Sequence, residues 1–191
     1  MRRVRRRRRA CDTGVASARR LLISARYAER VSGQREYLCY TDGSCKAADG
    51  APGGWGFSIR PPEGAAIEGH GKGKGTLAKI MEARAIAEAL DALPNGVQAT
   101  VFSDSQTLVD ALTKHLASWR LNSFAKVDPL IVESVRRIDA CIAEKNLTVR
   151  FQWVRSHNGN AGNARADALA AQGAREAKAE LEAERSVKRR R

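Results

Sequence analysis

Four carboxylates and one histidine stand where they could do chemistry together. Asp42 closes "YLCYTD" and Asp104 closes "ATVFSD", two alternating segments rich in strand formers. In a strand, residues two apart share a face, so Asp42 lies with Leu38 and Tyr40, and Asp104 with Phe102. Glu82 sits inside "LAKIMEARAIAEALDAL", four positions before Ile86 and eleven before Leu93. That spacing puts it on or beside the apolar stripe of a helix. Asp167 comes at the start of a last helical segment, with Asn163 as the expected cap. A set of carboxylates with no cysteine cluster and no histidine pair suits a hard, oxygen-preferring cation such as Mg²⁺. Two such ions about 3.5–4 Å apart activate a water and stabilise the leaving oxygen of a phosphodiester. His157, in the Gly- and Asn-rich stretch "RSHNGNAGNARAD", is placed to move a proton near that leaving group.

Each residue alone has an ordinary structural reading. Asp42 fits a strand-ending turn before Gly43. Asp104 fits a cap beside Ser105. Glu82 on the edge of its stripe would reach water. Asp167 in a first helical turn is favoured by the helix dipole. His157 fits an exposed loop. Their joint occurrence carries more weight, because a buried, unpaired carboxylate costs several kcal/mol or takes up a proton, and a metal relieves that cost.

The elements that must position these groups are legible from pattern. "YLCYTD", "WGFSIR" and the weaker "AAIEGHGKGKG" read as three strands joined by turns such as "DGAPGG". Residues 77–93 have helical periodicity stopped by Pro94, Asn95 and Gly96. "ATVFSD" is a fourth strand. A helix follows from Ser105, and another begins with Asp128 as cap and Pro129 at its first position. "LTVRFQWVR" is a fifth strand, and a helix runs from about Ala164 into the basic tail. The order β-β-β-α-β-α-α-β-α predicts an α/β fold. Its sheet is mixed and five-stranded, an antiparallel meander joined to parallel crossovers, with helices on both faces. "GHGKGKGT" has neither Walker A nor dinucleotide-binding spacing and reads as a glycine-rich strand and turn. "RRIDACIAEK" reads as an amphipathic, core-facing helix.

With 43% hydrophobic residues the chain can bury a core. No apolar run approaches the roughly 20 residues of a bilayer span, and no secretory signal is expected. The cysteines at 11, 39, 45 and 141 form no CxxC pair and read as reduced thiols. The net charge of +13 is uneven. Residues 1–36 carry 12 Arg against 3 acids, residues 185–191 carry 5 Lys or Arg, and the rest is near neutral. This predicts a basic extension over 1–36, a catalytic domain over 37–175 and a helical to disordered basic tail over 176–191. Runs of arginine attract nucleic-acid phosphates. An artefact of start-site choice and an organelle transit peptide remain alternative readings of the first segment.

"YTDGSC", "MEARAIAEAL", "FSDSQ" and "SHNGNAGNARAD" resemble, in order and spacing, the signature segments of type 1 ribonuclease H. The resemblance covers roughly 37–175. It implies a ribonuclease H-like fold and hydrolysis of the RNA strand of RNA–DNA hybrids, leaving 5′-phosphate and 3′-hydroxyl ends. It implies that Asp42, Glu82, Asp104 and Asp167 bind two Mg²⁺ ions, with Mn²⁺ as an alternative. Asp42 would bridge both, Asp104 would hold the ion that activates water, and Glu82 and Asp167 the other. His157 would serve proton movement and product release. Gly43, Ser44, Cys45, Gln106, Trp119 and Asn163 correspond to positions at or near bound nucleic acid. The resemblance further implies a monomer that acts on the hybrid, with no membrane partner. It is expected in the cytoplasm, or in an organelle if the Arg-rich start is a transit peptide.

Departures from the pattern are specific. Ala78 and Lys79 replace the amides that often precede the motif glutamate. "KAADGAPGG" lacks an asparagine often found after the first motif. The basic protrusion near "SWRLNSFAKVD" is short, with only Arg120 and Lys126. Two rivals follow: a catalytically silent hybrid- or RNA-binding module, and a DNA nuclease of the same fold. The basic tails would compensate for the reduced protrusion by holding nucleic acid loosely. Removal of residues 1–36 is therefore expected to weaken hybrid binding most at low salt, and an unchanged salt slope in a titration would refute that role.

Overall fold

Side-chain alternation in the first strand decides which helix meets which face of the sheet. The structure, a computed structural model, describes residues 36–45, 51–156 and 159–189. Its strands are β1 (Tyr37–Cys45), β2 (Gly53–Arg60), β3 (Ile67–Gly73), β4 (Gln98–Ser103) and β5 (Thr148–Trp153). Its helices are α1 (Ala78–Asp91), α2 (Gln106–Leu121), α3 (Val132–Glu144) and α4 (Ala161–Arg189). The sheet order is β3-β2-β1-β4-β5. β1 pairs antiparallel with β2, and β2 with β3, while β4 lies parallel to both β1 and β5. The expected meander and crossovers are both present.

One face carries Cys39, Phe57, Ile59, Ala99 and Val101, which join Ile86 and Leu90 of α1, Leu112 of α2 and Val135 and Ile138 of α3 in a single core. The alanines of α1 at 83, 85, 87 and 89 are buried, so that helix lies close to the strands. α3 faces this core as its pattern predicted, and "GHGKGKG" is β3 and the turn beyond it. The glycines of β3 leave room for aromatic rings. A Cβ at Gly69 would stand 2.5 Å from the Phe57 ring, and one at Gly71 equally close to Trp55.

The other face belongs to α4. Tyr40 and Phe102 stack there at 4.9 Å in register, and Tyr40 abuts Gly162 at the start of α4. Glycines let the helix backbone touch the sheet: a Cβ at Gly54 would lie 2.3 Å from the Ala170 carbonyl oxygen, and one at Gly173 2.1 Å from that of Gly71. Beyond this contact, ion pairs tie α4 to β3. Arg165 grips Glu68 in a fork at 2.7 and 2.9 Å. Glu176 meets His70 at 3.1 Å, Glu180 takes Lys72 at 2.6 Å, and Lys74 reaches Glu184 at 2.5 Å.

Two helix starts and one cap differ from expectation. α3 begins at Val132 rather than at Pro129, because the Asp128 carboxylate accepts the Leu130 N–H (2.9 Å) and closes a separate turn first. α4 begins at Ala161 rather than Ala164. Its cap is Asn160, whose side-chain oxygen accepts the N–H groups of Gly162 and Asn163, so Asn163 is not the cap. Ser105 does precede α2 but makes no side-chain cap bond.

Contact this close leaves no room for a methyl group at Gly56, where a Cβ would lie 2.5 Å from the Ala170 nitrogen. Gly56→Ala is expected to cost about 2 kcal/mol. A urea denaturation midpoint equal to that of the unaltered chain would contradict this packing.

Candidate active site

Parallel pairing of β1 with β4 puts both aspartates at one edge of the sheet. Thr41 is opposite Ser103 in the register, so Asp42 and Asp104 follow side by side. Asp42 does not end its strand: β1 runs on to Cys45, and Asp42 still pairs with Gly56 of β2. The reading of Asp42 as a turn residue is therefore corrected. By alternation both carboxylates lie on the α4 face, above the stacked Tyr40 and Phe102.

Glu82 arrives from the opposite face. A Cβ at Gly43 would lie 2.3 Å from the backbone nitrogen of Glu82, so this glycine lets α1 cross against β1 at the level of Asp42. The Ser105 hydroxyl donates to the Glu82 carboxylate, which explains why it does not cap α2. Asp167 comes from the second turn of α4, because the helix starts at Ala161 and has no acid in its first turn. Stabilisation of an acid in the first turn by the dipole thus does not account for Asp167.

Asp104 is held at two points. Ser156 donates its hydroxyl to the Asp104 carboxylate at 2.6 Å, and the indole N–H of Trp153 donates to its carbonyl at 3.1 Å. The N–H of Val154 extends the β5 ladder to Ser103 at 3.0 Å, carrying this segment past Asp104. Neither Ser156 nor Trp153 stands out by sequence pattern. The position of Ser156 next to His157 was the available signal. His157 itself lies outside the described residues, as does the segment 46–50.

The electrostatics show what these acids do to one another. Burial, then the charges of Asp104 and Asp167, and more weakly that of Glu82, push Asp42 up to about 7, against a small opposing bond from the Gly43 backbone. Burial and the Asp104 charge also raise Glu82, and the Ser105 hydroxyl partly offsets them. No basic side chain among the described residues acts on either carboxylate. Among the described residues, no three His, Cys, Asp or Glu side chains converge closely enough to hold a metal ion. An all-oxygen donor set in which Asp42 and Glu82 hold their protons more tightly fits a divalent cation, which would replace the proton and cancel the repulsion.

The residues expected near nucleic acid divide by environment. Ser44 and Cys45 continue β1 past Asp42, and the Cys45 thiol donates to the Thr76 carbonyl at 3.3 Å. Gln106 is exposed at the start of α2. Asn163 is buried one turn before Asp167, and its side-chain oxygen has no partner among the described residues. Trp119 packs against the core and beside His115, so packing against the fold is its observed role. Arg120 is held by Asp139 at 2.6–3.0 Å, while Lys126, the other base of the short protrusion, makes no ion pair among the described residues. Lys79, standing where an amide is common, pairs with Asp128 at 2.7 Å.

Comparison with known proteins agrees with this geometry. The family model described as RNase H matches residues 34–175. Ribonuclease H of Polaromonas naphthalenivorans (strain CJ2) is 36% identical over 146 residues, covering 75% of this chain and 89% of the relative. Among solved structures, the prototype foamy virus protease–reverse transcriptase aligns with a TM-score of 0.63 at 27% identity. That match covers 74% of this chain and 21% of the larger protein. LC11-RNase H1, solved in complex with an RNA/DNA hybrid, aligns with a TM-score of 0.58 at 22% identity, over 74% of this chain and 99% of its own.

The raised Asp42 gives a pH signature. Its folded value, about 7, lies above the ordinary aspartate value of 3.8, so the folded state binds more protons between them. Stability therefore falls as pH rises through that window. Asp42→Asn is expected to stabilise the metal-free protein by on the order of 1–3 kcal/mol at pH 8, with the gain vanishing towards pH 4. Thermal unfolding in chelator across that range measures it, and a pH-independent difference would contradict the cause assigned to Asp42.

Proposed function

Because this chain belongs to the ribonuclease H family, we propose that the carboxylate edge of its sheet hydrolyses the RNA strand of RNA–DNA hybrids with two Mg²⁺ ions. The observation that carries this reading is the position of Asp42, half-buried at a sheet edge with three other acids acting on it. The hybrid held by LC11-RNase H1, a neighbour in fold, supports the choice of substrate.

Asp42, Glu82, Asp104 and Asp167 would hold the ions, which supply a water nucleophile at neutral pH and offset charge on the phosphate oxygens. The chain's own residues prepare the site. Ser156 fixes one oxygen of Asp104 and leaves the other to bind. Ser105 orients Glu82. Attack by water on phosphorus breaks the bond to the 3′ oxygen, so one product carries a 5′-phosphate and the other a 3′-hydroxyl. His157 follows Ser156 directly and is assigned the proton transfer that accompanies product release. The 2′-hydroxyl, present on RNA alone, is the group by which the two strands of a hybrid differ.

The test is incubation of labelled hybrid, duplex RNA and duplex DNA with Mg²⁺. Cleavage confined to the RNA of the hybrid is expected. Asp104→Asn should lower the rate roughly 100-fold or more, the scale of losing one charge-stabilising group. Ser156→Ala should raise the Mg²⁺ concentration needed by about 10-fold, as removal of a ligand's supporting bond does. Tight hybrid binding without cleavage would favour a silent binding module instead.

A further inference from the structure

The family match ends at residue 175, yet α4 continues unbroken to Arg189. This outer part of the helix has two faces of opposite character. Glu176, Glu180 and Glu184, spaced by four, are all engaged with His70, Lys72 and Lys74 of β3 and the turn beyond it. The acids on that side are thus occupied with fixing the helix to the sheet. The side towards the end of β1 carries Arg175, Lys178 and Arg185, all exposed. Among the described residues Arg175 and Arg185 make no ion pair, and Lys178 has only a loose contact at 3.7 Å with the exposed Glu182.

These three bases, with the single acid Glu182 among them, rim a groove of about 430 Å³ whose floor includes Cys45, Pro52 and Leu181. The groove also touches Ser44, two residues from Asp42, so it starts beside the carboxylate edge and leads away from it along the helix. A polyanion with less polar sugar faces matches a basic rim over an apolar floor. The chain's own first 36 residues, with 12 Arg against 3 acids, would be repelled by that rim. Resting on the hybrid-cleaving reading above, we propose that this groove docks the sugar–phosphate backbone of the hybrid beyond the cut site. The outer half of α4 is then a second substrate-binding element.

The experiment compares the full chain with the triple variant Arg175→Gln, Lys178→Gln, Arg185→Gln on two hybrids. One is long enough to pass the catalytic edge on both sides, and the other is confined to it. The expected result is about 10-fold weaker binding of the long hybrid and a salt slope reduced by about 2–3. The rate at saturation on the short hybrid should not change. The substituted side chains are exposed, so the thermal midpoint should also hold, and Arg185→Gln alone should lower the slope by about 1. Three outcomes overturn the proposal: identical affinity and slope in both proteins, equal losses on both hybrids, or a dimer that sedimentation finds only in the unaltered chain. The first of these, with hybrid cleavage intact, leaves the catalytic reading standing. Absence of hybrid cleavage by the unaltered chain removes both.

Discussion

Like charges brought together at a sheet edge are the constraint around which this molecule is organised. Four carboxylates meet there, and the charges of the others, together with burial, raise the hold of Asp42 on its proton. Repulsion of that kind drives groups apart unless the backbones beneath them are fixed by stronger packing. The stacked Tyr40 and Phe102 support the aspartates from the α4 face, and the buried core under α1 holds Glu82 from the other. The site is held by apolar burial at some distance from it, while its own polar bonds, such as Ser156 to Asp104, choose the orientation of each carboxylate.

Convergence from both faces also needs close approach, and glycine supplies it. α1 can bring Glu82 level with Asp42 because residue 43 has no Cβ, and α4 can bring Asp167 down because residues 54, 56 and 173 have none. The same device explains why β3, weak by strand propensity, is retained. Its glycines receive the rings of Phe57 and Trp55 from the neighbouring strand, so aromatic surface that would face solvent lies over backbone.

The strands and helices were legible because alternation and helical periodicity report directly which side of an element is buried. The four acids were legible because each stands out against an apolar pattern: Glu82 beside the stripe of α1, and Asp42 and Asp104 at the ends of strongly apolar runs. What stayed hidden were choices among equivalent local bonds. Ser105 looks like a cap, but its hydroxyl serves Glu82. Asn160 and Asn163 both suit a helix start, and the sequence holds nothing local that selects Asn160. Arg120 looks like a base for nucleic acid until Asp139, nineteen residues away, takes it up. Such outcomes depend on tertiary neighbours that periodicity does not encode.

The two halves of α4 are anchored by different forces, and this has a consequence for its motion. The inner half meets the sheet through backbone contact at Gly173 and buried Ala166 and Ala170, so its amides open only when the sheet itself comes apart. The outer half is held by ion pairs that are largely open to water and individually weak. Its amides should exchange with solvent through local fraying, faster as added salt loosens the pairs. A single unbroken helix would thus report two free energies of opening, with the boundary between them falling close to the end of the family's shared domain.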